Sequence, residues 1–112
     1  MTVNQEICEA FKPLKMPVVP APYTGKEERY IAFQAFSNPT EYGDNEPNSE
    51  VYRLYVELFL PLKENSTAVV EKMKRLCYKA GFGWPSVVPA HTDDKQHFVF
   101  ECETNREINF EI

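Results

Sequence analysis

The chain has little glycine and no long apolar run, and these two absences exclude several classes of protein. Only 4 of its 112 residues are glycine, against 9 prolines, so its connections are expected to be stiff rather than flexible. No apolar stretch approaches the roughly 20 residues that a membrane-spanning helix requires. The start of the chain has no charged segment followed by an apolar one, so we predict no signal peptide and expect folding in a cytoplasm.

Cysteine is also scarce, with only Cys8, Cys77 and Cys102. The odd number and wide spacing do not form a disulfide framework, so the three are predicted to be buried free thiols in a reducing compartment. Lys74 and Lys79 near Cys77 would favour a reactive thiolate. Cys77 also lies on the apolar stripe of a predicted helix, which favours an inert core thiol instead.

Motifs for catalysis and metal binding are missing as well. The sequence contains neither a glycine-rich phosphate loop nor a nucleophile elbow. His91, Asp93, Asp94 and His97 are the one cluster of metal-ligating residue types, but their spacing matches no metal motif. A solvated loop is the simpler interpretation, so we predict no enzyme activity, no metal and no cofactor.

The overall charge argues against a protein that binds DNA over its whole surface. The net charge is −5 and the isoelectric point about 5.0, whereas phosphate neutralisation requires clustered Lys and Arg. Hydrophobic residues make up 43% and aromatic residues 13%, which suffices for one core. A chain of this length is expected to form a single domain over residues 1–112.

The first 29 residues are predicted to form a short helix followed by an extended, proline-rich arm. Thr2 or Asn4 can cap a helix that ends near Phe11, since apolar residues recur there at spacings of three and four. Three prolines in residues 17–22 then exclude both a helix and a central strand.

Residues 30–112 are predicted to form the α+β core. Alternating apolar residues predict strands at 29–36, 51–60 and 96–103, the first two paired as a hairpin. A helix begins at Asn65 or Ser66 and ends at Gly81, a natural left-handed C-cap. Residues 86–95 are predicted to be a loop, and a turn at 105–106 would lead to an edge strand over 107–112. The fold class is therefore a small antiparallel sheet of three to four strands on one main helix, with a short N-terminal helix.

Two segments of opposite charge are the candidate interaction sites. Residues 37–50 are predicted to form an unusually long loop, of the kind that is often functional, with four carboxylates and no Lys or Arg. The helix carries four basic residues outside its apolar stripe. Counted against Glu71 and against Glu64, which lies just before the helix, they give this segment a net charge of +2. The candidate residues are Glu41, Asp44, Glu46 and Glu50 on the first segment, and Lys72, Arg75 and Lys79 on the second.

The order of these elements resembles a known family. The matching stretch runs from about Tyr30 to Glu103 and is carried by Tyr30-Ile-Ala-Phe, Tyr52-Arg-Leu-Tyr-Val-Glu-Leu, the helix 68–79 and Ala80-Gly-Phe82. It is similar to the small tail-completion, or tail-terminator, proteins of long-tailed phages and prophages of Gram-positive bacteria. That resemblance implies a non-enzymatic virion protein, made in the host cytoplasm, that forms a ring, often a hexamer, at the head–tail junction.

The resemblance also implies partners for the two charged segments. The ring would contact tail-tube and head–tail connector proteins, while DNA passes through it as cargo. The acidic segment could line the lumen and repel DNA, or it could bind the basic helix face of the next subunit and close the ring. The alternative interpretation is a small α+β module that binds a ligand or partner in a pocket around Trp84.

Overall fold

The computed structural model describes the backbone of residues 1–43 and 46–107, and the side chains of all of these except 38–43, 46–48 and 107. Helix α1 spans Val3–Ala10 and is followed by a 3-10 turn at Lys12–Leu14, and helix α2 spans Thr67–Lys79. The strands are β1 at Val18–Pro20, β2 at Tyr30–Gly43, β3 at Glu46–Pro61, β4 at Ser86–Pro89 and β5 at Lys95–Glu107. The fold is α+β, and no helix of the described residues is long and apolar enough to cross a membrane.

The five strands form one mixed sheet in the order β1-β2-β3-β5-β4. The predicted hairpin between β2 and β3 is confirmed, with Phe33 opposite Val56. Strand β5 pairs antiparallel with the other side of β3, where Phe100 also lies opposite Val56. The long central strand β3 therefore holds the sheet together.

The prediction of three to four antiparallel strands was too low because two short edge strands were missed. Strand β1 runs parallel to β2, and the amide of Ile31 donates to the carbonyl of Pro17 at 2.8 Å. Prolines are tolerated there because the outer side of an edge strand needs no donors. Strand β4 replaces part of the predicted loop at 86–95 and pairs with β5, with Val87 opposite Phe100.

The predicted acidic loop and the predicted turn at 105–106 are both wrong. Strands β2 and β3 continue in register through this region as far as Gly43 opposite Glu46. Strand β5 accompanies them to Glu107, so that Asn105 and Arg106 lie inside a strand. Ladder pairing with β3 supplies backbone hydrogen bonds that outweigh the weak strand propensity of this polar segment. The proposed edge strand beyond Glu107 lies outside the described residues.

Both helices pack on the same face of the sheet. Thr2 caps α1 reciprocally with Gln5, as the sequence predicted for Thr2. At the start of α2 the positional cap is Ser66, but the side chain that accepts the amide of Thr67 belongs to Asn65. The helix ends at Lys79 with Ala80 as its C-cap, and the following Gly81 has a φ of 88°, the predicted left-handed conformation.

The core lies between this helical layer and the inner face of the sheet. The predicted inward residues of β3 are fully buried, as are their main partners on α1, α2 and the neighbouring strands. Phe82 folds back onto α2 and donates its amide to the carbonyl of Cys77 at 3.0 Å. The largest fully buried side chains include Ile7, Phe11, Phe33, Leu54, Leu58, Leu60, Met73 and Phe100.

Candidate functional site

Of the four predicted acidic residues, only Glu50 has a side chain that the structure describes. We call residues 37–43 and 46–50, the paired ends of β2 and β3, the distal hairpin. Glu41 and Glu46 lie in its strands, but their side chains are not among those described, and Asp44 lies outside the described residues. Glu50 faces the same side as the helices, where its Oε2 accepts the hydroxyl of Tyr52 at 3.0 Å.

A polar network joins the base of the distal hairpin to α1. Arg106 lies opposite Glu50 in the β3–β5 ladder and makes two contacts with the carboxylate of Glu6, one of them from Nε at 3.2 Å. It also donates to the hydroxyl of Thr104, a buried polar side chain. Sequence reasoning missed this network because 100 residues separate Glu6 from Arg106.

Tyr52 donates to Glu50 at the edge of this network, and its own pKa is shifted. Its hydrogen bond to Glu50 raises the pKa of the phenol above 10.0, and partial burial and the charge of Glu50 act in the same direction. The positive charge of Arg106 acts against them. Tyr52 therefore stays protonated at neutral pH and donates its hydrogen bond to Glu50.

The predicted basic residues remain together on α2. Lys72, Arg75 and Lys79 are exposed and fall within one side of the helix, opposite the buried Met73 and Cys77. Arg75 donates to the backbone carbonyl of Glu71 at 3.3 Å. No carboxylate of the described residues forms an ion pair with these three. We call them the basic stripe.

A second surface is the outer face of the sheet. It is the side of β2, β3 and β5 away from α1 and α2, and its ladder rows place Phe36, Arg53 and Glu103 together and Gln34, Tyr55 and Glu101 together. Phe36 is 53% exposed, although its ring meets that of Tyr55 edge to face. The alternation of the sequence places Arg53, Tyr55, Glu57 and Phe59 on this mixed face of β3, which fits either a half-solvated surface or an interface.

A row of stacked rings crosses the outer face at its other end. Tyr30, Phe59 and His97 lie side by side, with ring centroids 4.6 and 4.2 Å apart, and Tyr23 stacks on Tyr30. Lys95 lies over Tyr30 at 5.4 Å. Each ring packs against the next one in the row. The row therefore stabilises the pairing of three strands and leaves little ring surface for a ligand.

The histidines and acids near 91–97 do not converge on a metal position. Nδ1 of His91 accepts the amide of His97 at 3.0 Å, while Nε2 of His97 lies 2.9 Å from Glu57. Within residues 1–43 and 46–107, no group of three or more His, Cys, Asp or Glu side chains could hold a metal ion.

The cysteines have the packing of core residues. Cys77 is fully buried, while Cys8 and Cys102 are partly buried, and all three are free thiols. Contact with the thiol of Cys102, together with burial, raises the pKa of Cys77. The basic residues around it on α2 therefore do not convert it into a reactive thiolate.

The pocket proposed around Trp84 is an open cleft at the edge of β5. Its volume is ≈ 610 Å³, and it lies beside Ser86, where β4 begins. Its lining is the loop from Gly81 to Trp84 and both faces of β5 near Glu103. Trp84 is 58% exposed and meets Tyr78 at a centroid distance of 6.4 Å. The cleft has an aromatic wall but little enclosure.

Comparisons with known proteins bear on the fold alone. No family model and no curated protein matches the chain. Fourteen chains of solved structures match, and one of them aligns over 100% of both chains with a TM-score of 0.61 at 10% sequence identity. A likeness at that identity defines the class of fold, an α+β domain with a five-stranded mixed sheet, and carries no activity with it.

Proposed function

We propose that this chain is a non-enzymatic structural protein of a phage or prophage virion, a tail-completion subunit that forms a ring at the head–tail junction. The observation that carries the proposal is the projecting distal hairpin. Beyond the row of Pro39, Glu50 and Arg106, β2 and β3 continue together to Gly43 and Glu46. The molecule is accordingly elongated, with extents of 55 × 25 × 24 Å.

A projecting hairpin suits a subunit of an assembly better than an isolated domain. Ordering backbone outside the core costs conformational entropy, and contact with neighbouring molecules would offset that cost. The hairpin is acidic in sequence, so in a ring it would repel the phosphates of DNA that moves through the lumen. Tail-tube and connector proteins are the partners that this role requires.

Deleting the gene in its phage or prophage tests this function directly. We expect induced cells to accumulate unjoined heads and tails, with tails of irregular length, and complementation with the intact gene to restore whole particles. Electron microscopy of lysates provides the measurement. Normal, infectious particles from the deletion strain would contradict the proposal.

The lumen role of the distal hairpin makes a separate prediction. Changing Glu41, Asp44 and Glu46 to Lys should leave rings intact while particles retain or release DNA abnormally. If the same changes abolish oligomers at moderate salt, the hairpin instead binds a neighbouring subunit. Because an exposed ion pair contributes only about 0–1 kcal/mol, that second result would require several pairs to act together.

The second candidate function is a module that binds a ligand or partner at the Trp84 cleft. Its support is the exposed ring of Trp84 beside the unpaired edge of β5. Trp84 is the single tryptophan of the chain, so its fluorescence reports directly on occupancy of the cleft. A fluorescence change on adding a ligand, in a protein that remains monomeric or dimeric, would favour this function over the ring.

A further inference from the structure

The sheet has two sides with different surroundings. Both helices cover the inner face, whereas the exposed residues of the outer face include Gln34, Phe36, Glu101 and Glu103. The basic stripe of α2 lies on the far side of the helical layer. The two surfaces therefore face in roughly opposite directions on one molecule.

The free charges on these two surfaces have opposite signs. On the outer face Glu57 is bound to His97 at 2.9 Å, but Glu101 and Glu103 have no ion pair with any described residue. Arg53 lies opposite Glu103 in the ladder, and it offsets only part of this negative charge. In the basic stripe, Lys72 and Arg75 form no ion pair with a carboxylate among the side chains that the structure describes.

The spacing of these charges is also compatible. Glu101 and Glu103 lie about 7 Å apart on one side of β5, because side chains two residues apart share a face of a strand. Lys72 and Arg75 lie about 4.5 Å apart along α2, within reach of two such carboxylates for flexible basic side chains. Lys79 contributes less, since it borders a groove that Glu6 and Glu9 of α1 also line.

The free edges of β2 and β4 offer a poorer means of association. The backbone N–H of Ile31 and the carbonyl of Phe33 bond toward β1, away from β3. Every second residue of β2 has its backbone groups on this side, and Pro39 is one of them. Pro39 has no N–H, so it removes a hydrogen-bond donor from the free edge of β2. Pro85 also precedes the edge strand β4, and Pro89 is its last residue. Proline on an edge opposes strand addition, which favours contact through the faces.

From these observations we propose that the outer face of the sheet, through Glu101 and Glu103, docks on Lys72 and Arg75 of α2 of a second copy of this chain. The contact is head-to-tail, since two different surfaces meet, and repetition of such a contact closes a ring when the rotation allows it. The exposed rings of Phe36 and Tyr78 add apolar area to the two surfaces. The proposal rests on the proposed function and specifies how its subunits meet.

Charge reversal on each surface tests the contact. Variant E101K/E103K makes the outer face basic, and variant K72E/R75E makes the stripe acidic, so neither should associate with itself. The association of each variant should weaken at least about tenfold at low salt. A mixture of the two should associate, as should the chain that carries all four changes, because each contact again joins opposite charges.

Matched controls reverse equal charge elsewhere on the surface. Variants E27K/E28K and K26E/K63E change exposed residues outside both surfaces and should associate like the unaltered protein. Sedimentation velocity at about 50 and 500 mM salt would measure all of these species, and circular dichroism would show that each is folded. Salt should weaken the unaltered contact, since its charges are exposed.

Three results would overturn the proposal. They are an unaltered protein that stays monomeric at millimolar concentration and low salt, reversal variants that associate as well as the controls, and failure of both the mixture and the fourfold variant to associate. If reversal of Glu41 and Glu46 abolishes oligomers while E101K/E103K does not, the proposed contact is wrong. The proposal that the protein forms a ring would still stand, with the distal hairpin as the contact. The gene deletion tests the virion role independently of either result.

Discussion

The ion pair between Glu6 and Arg106 should contribute measurably to stability, because it is the link between α1 and the base of the distal hairpin. Its side chains are 22% and 32% exposed, so it is neither a fully solvated pair nor a fully buried one. Fully exposed pairs contribute about 0–1 kcal/mol, and hydrogen bonds to charged groups about 1.5–3 kcal/mol. We therefore expect a coupling free energy of about 1–2 kcal/mol.

A double-mutant cycle with Glu6→Ala and Arg106→Met isolates this coupling from the effects of each change alone. Urea unfolding followed by circular dichroism gives the four free energies of unfolding. In thermal unfolding the loss of the pair should lower Tm by about 4–10 °C for a domain of this size. The coupling should shrink as salt is added, since part of it is electrostatic.

The pair Glu9–Lys12 is a matched control on the same helical segment. Its side chains are 52% and 70% exposed, and a cycle through Glu9→Ala and Lys12→Met should give a coupling below about 0.5 kcal/mol. Equal couplings in the two cycles, or none for Glu6 and Arg106, would refute the view that α1 is fastened to β5 at this point.

Three further predictions follow from burial and titration. Leu58→Ala should cost about 2–5 kcal/mol of unfolding free energy in urea melts, whereas Leu62→Ala, 54% exposed, should stay within about 0.5 kcal/mol; similar costs would contradict the assigned core. The raised pKa of Tyr52 stabilises the fold below the unfolded pKa of about 10, and this contribution is lost as pH rises through the folded pKa. The difference in unfolding free energy between the unaltered protein and Tyr52→Phe should therefore be constant at neutral pH and fall as pH rises above about 10, and a difference that stays constant there would be the wrong result. Cys77 should resist iodoacetamide in the folded protein and react in urea, as mass spectrometry of the labelled peptides would show; equal labelling in both states would place it at the surface.

The sequence predicted the parts of the fold in which local pattern and tertiary packing agree. The alternation of β3 marks its buried face, where Leu54, Val56 and Leu58 are fully buried. The left-handed Gly81 just beyond the end of α2 follows from local chemistry in the same way. These two predictions succeed because each depends on a local feature alone, the period of two along a strand or a glycine just after a helix.

The elements that were missed depend on partners far away in the chain. The polar residues of the distal hairpin have weak strand propensity, and only their registration with β3 and β5 makes them strands. Strands β1 and β4 are too short and rich in proline for any period to appear. The acidic outer face was missed because Glu101 and Glu103 come together with the face of β3 only through the β3–β5 ladder.

The state of assembly is the most direct test of the account as a whole. Mass photometry and negative-stain electron microscopy of the purified protein, alone and with its tail-tube protein, would count the subunits in each particle. The account predicts closed rings with a fixed number of copies, often six, that dissociate when E101K/E103K is introduced. A protein that remains a monomer or dimer in both samples, and does not bind the tube, would contradict it.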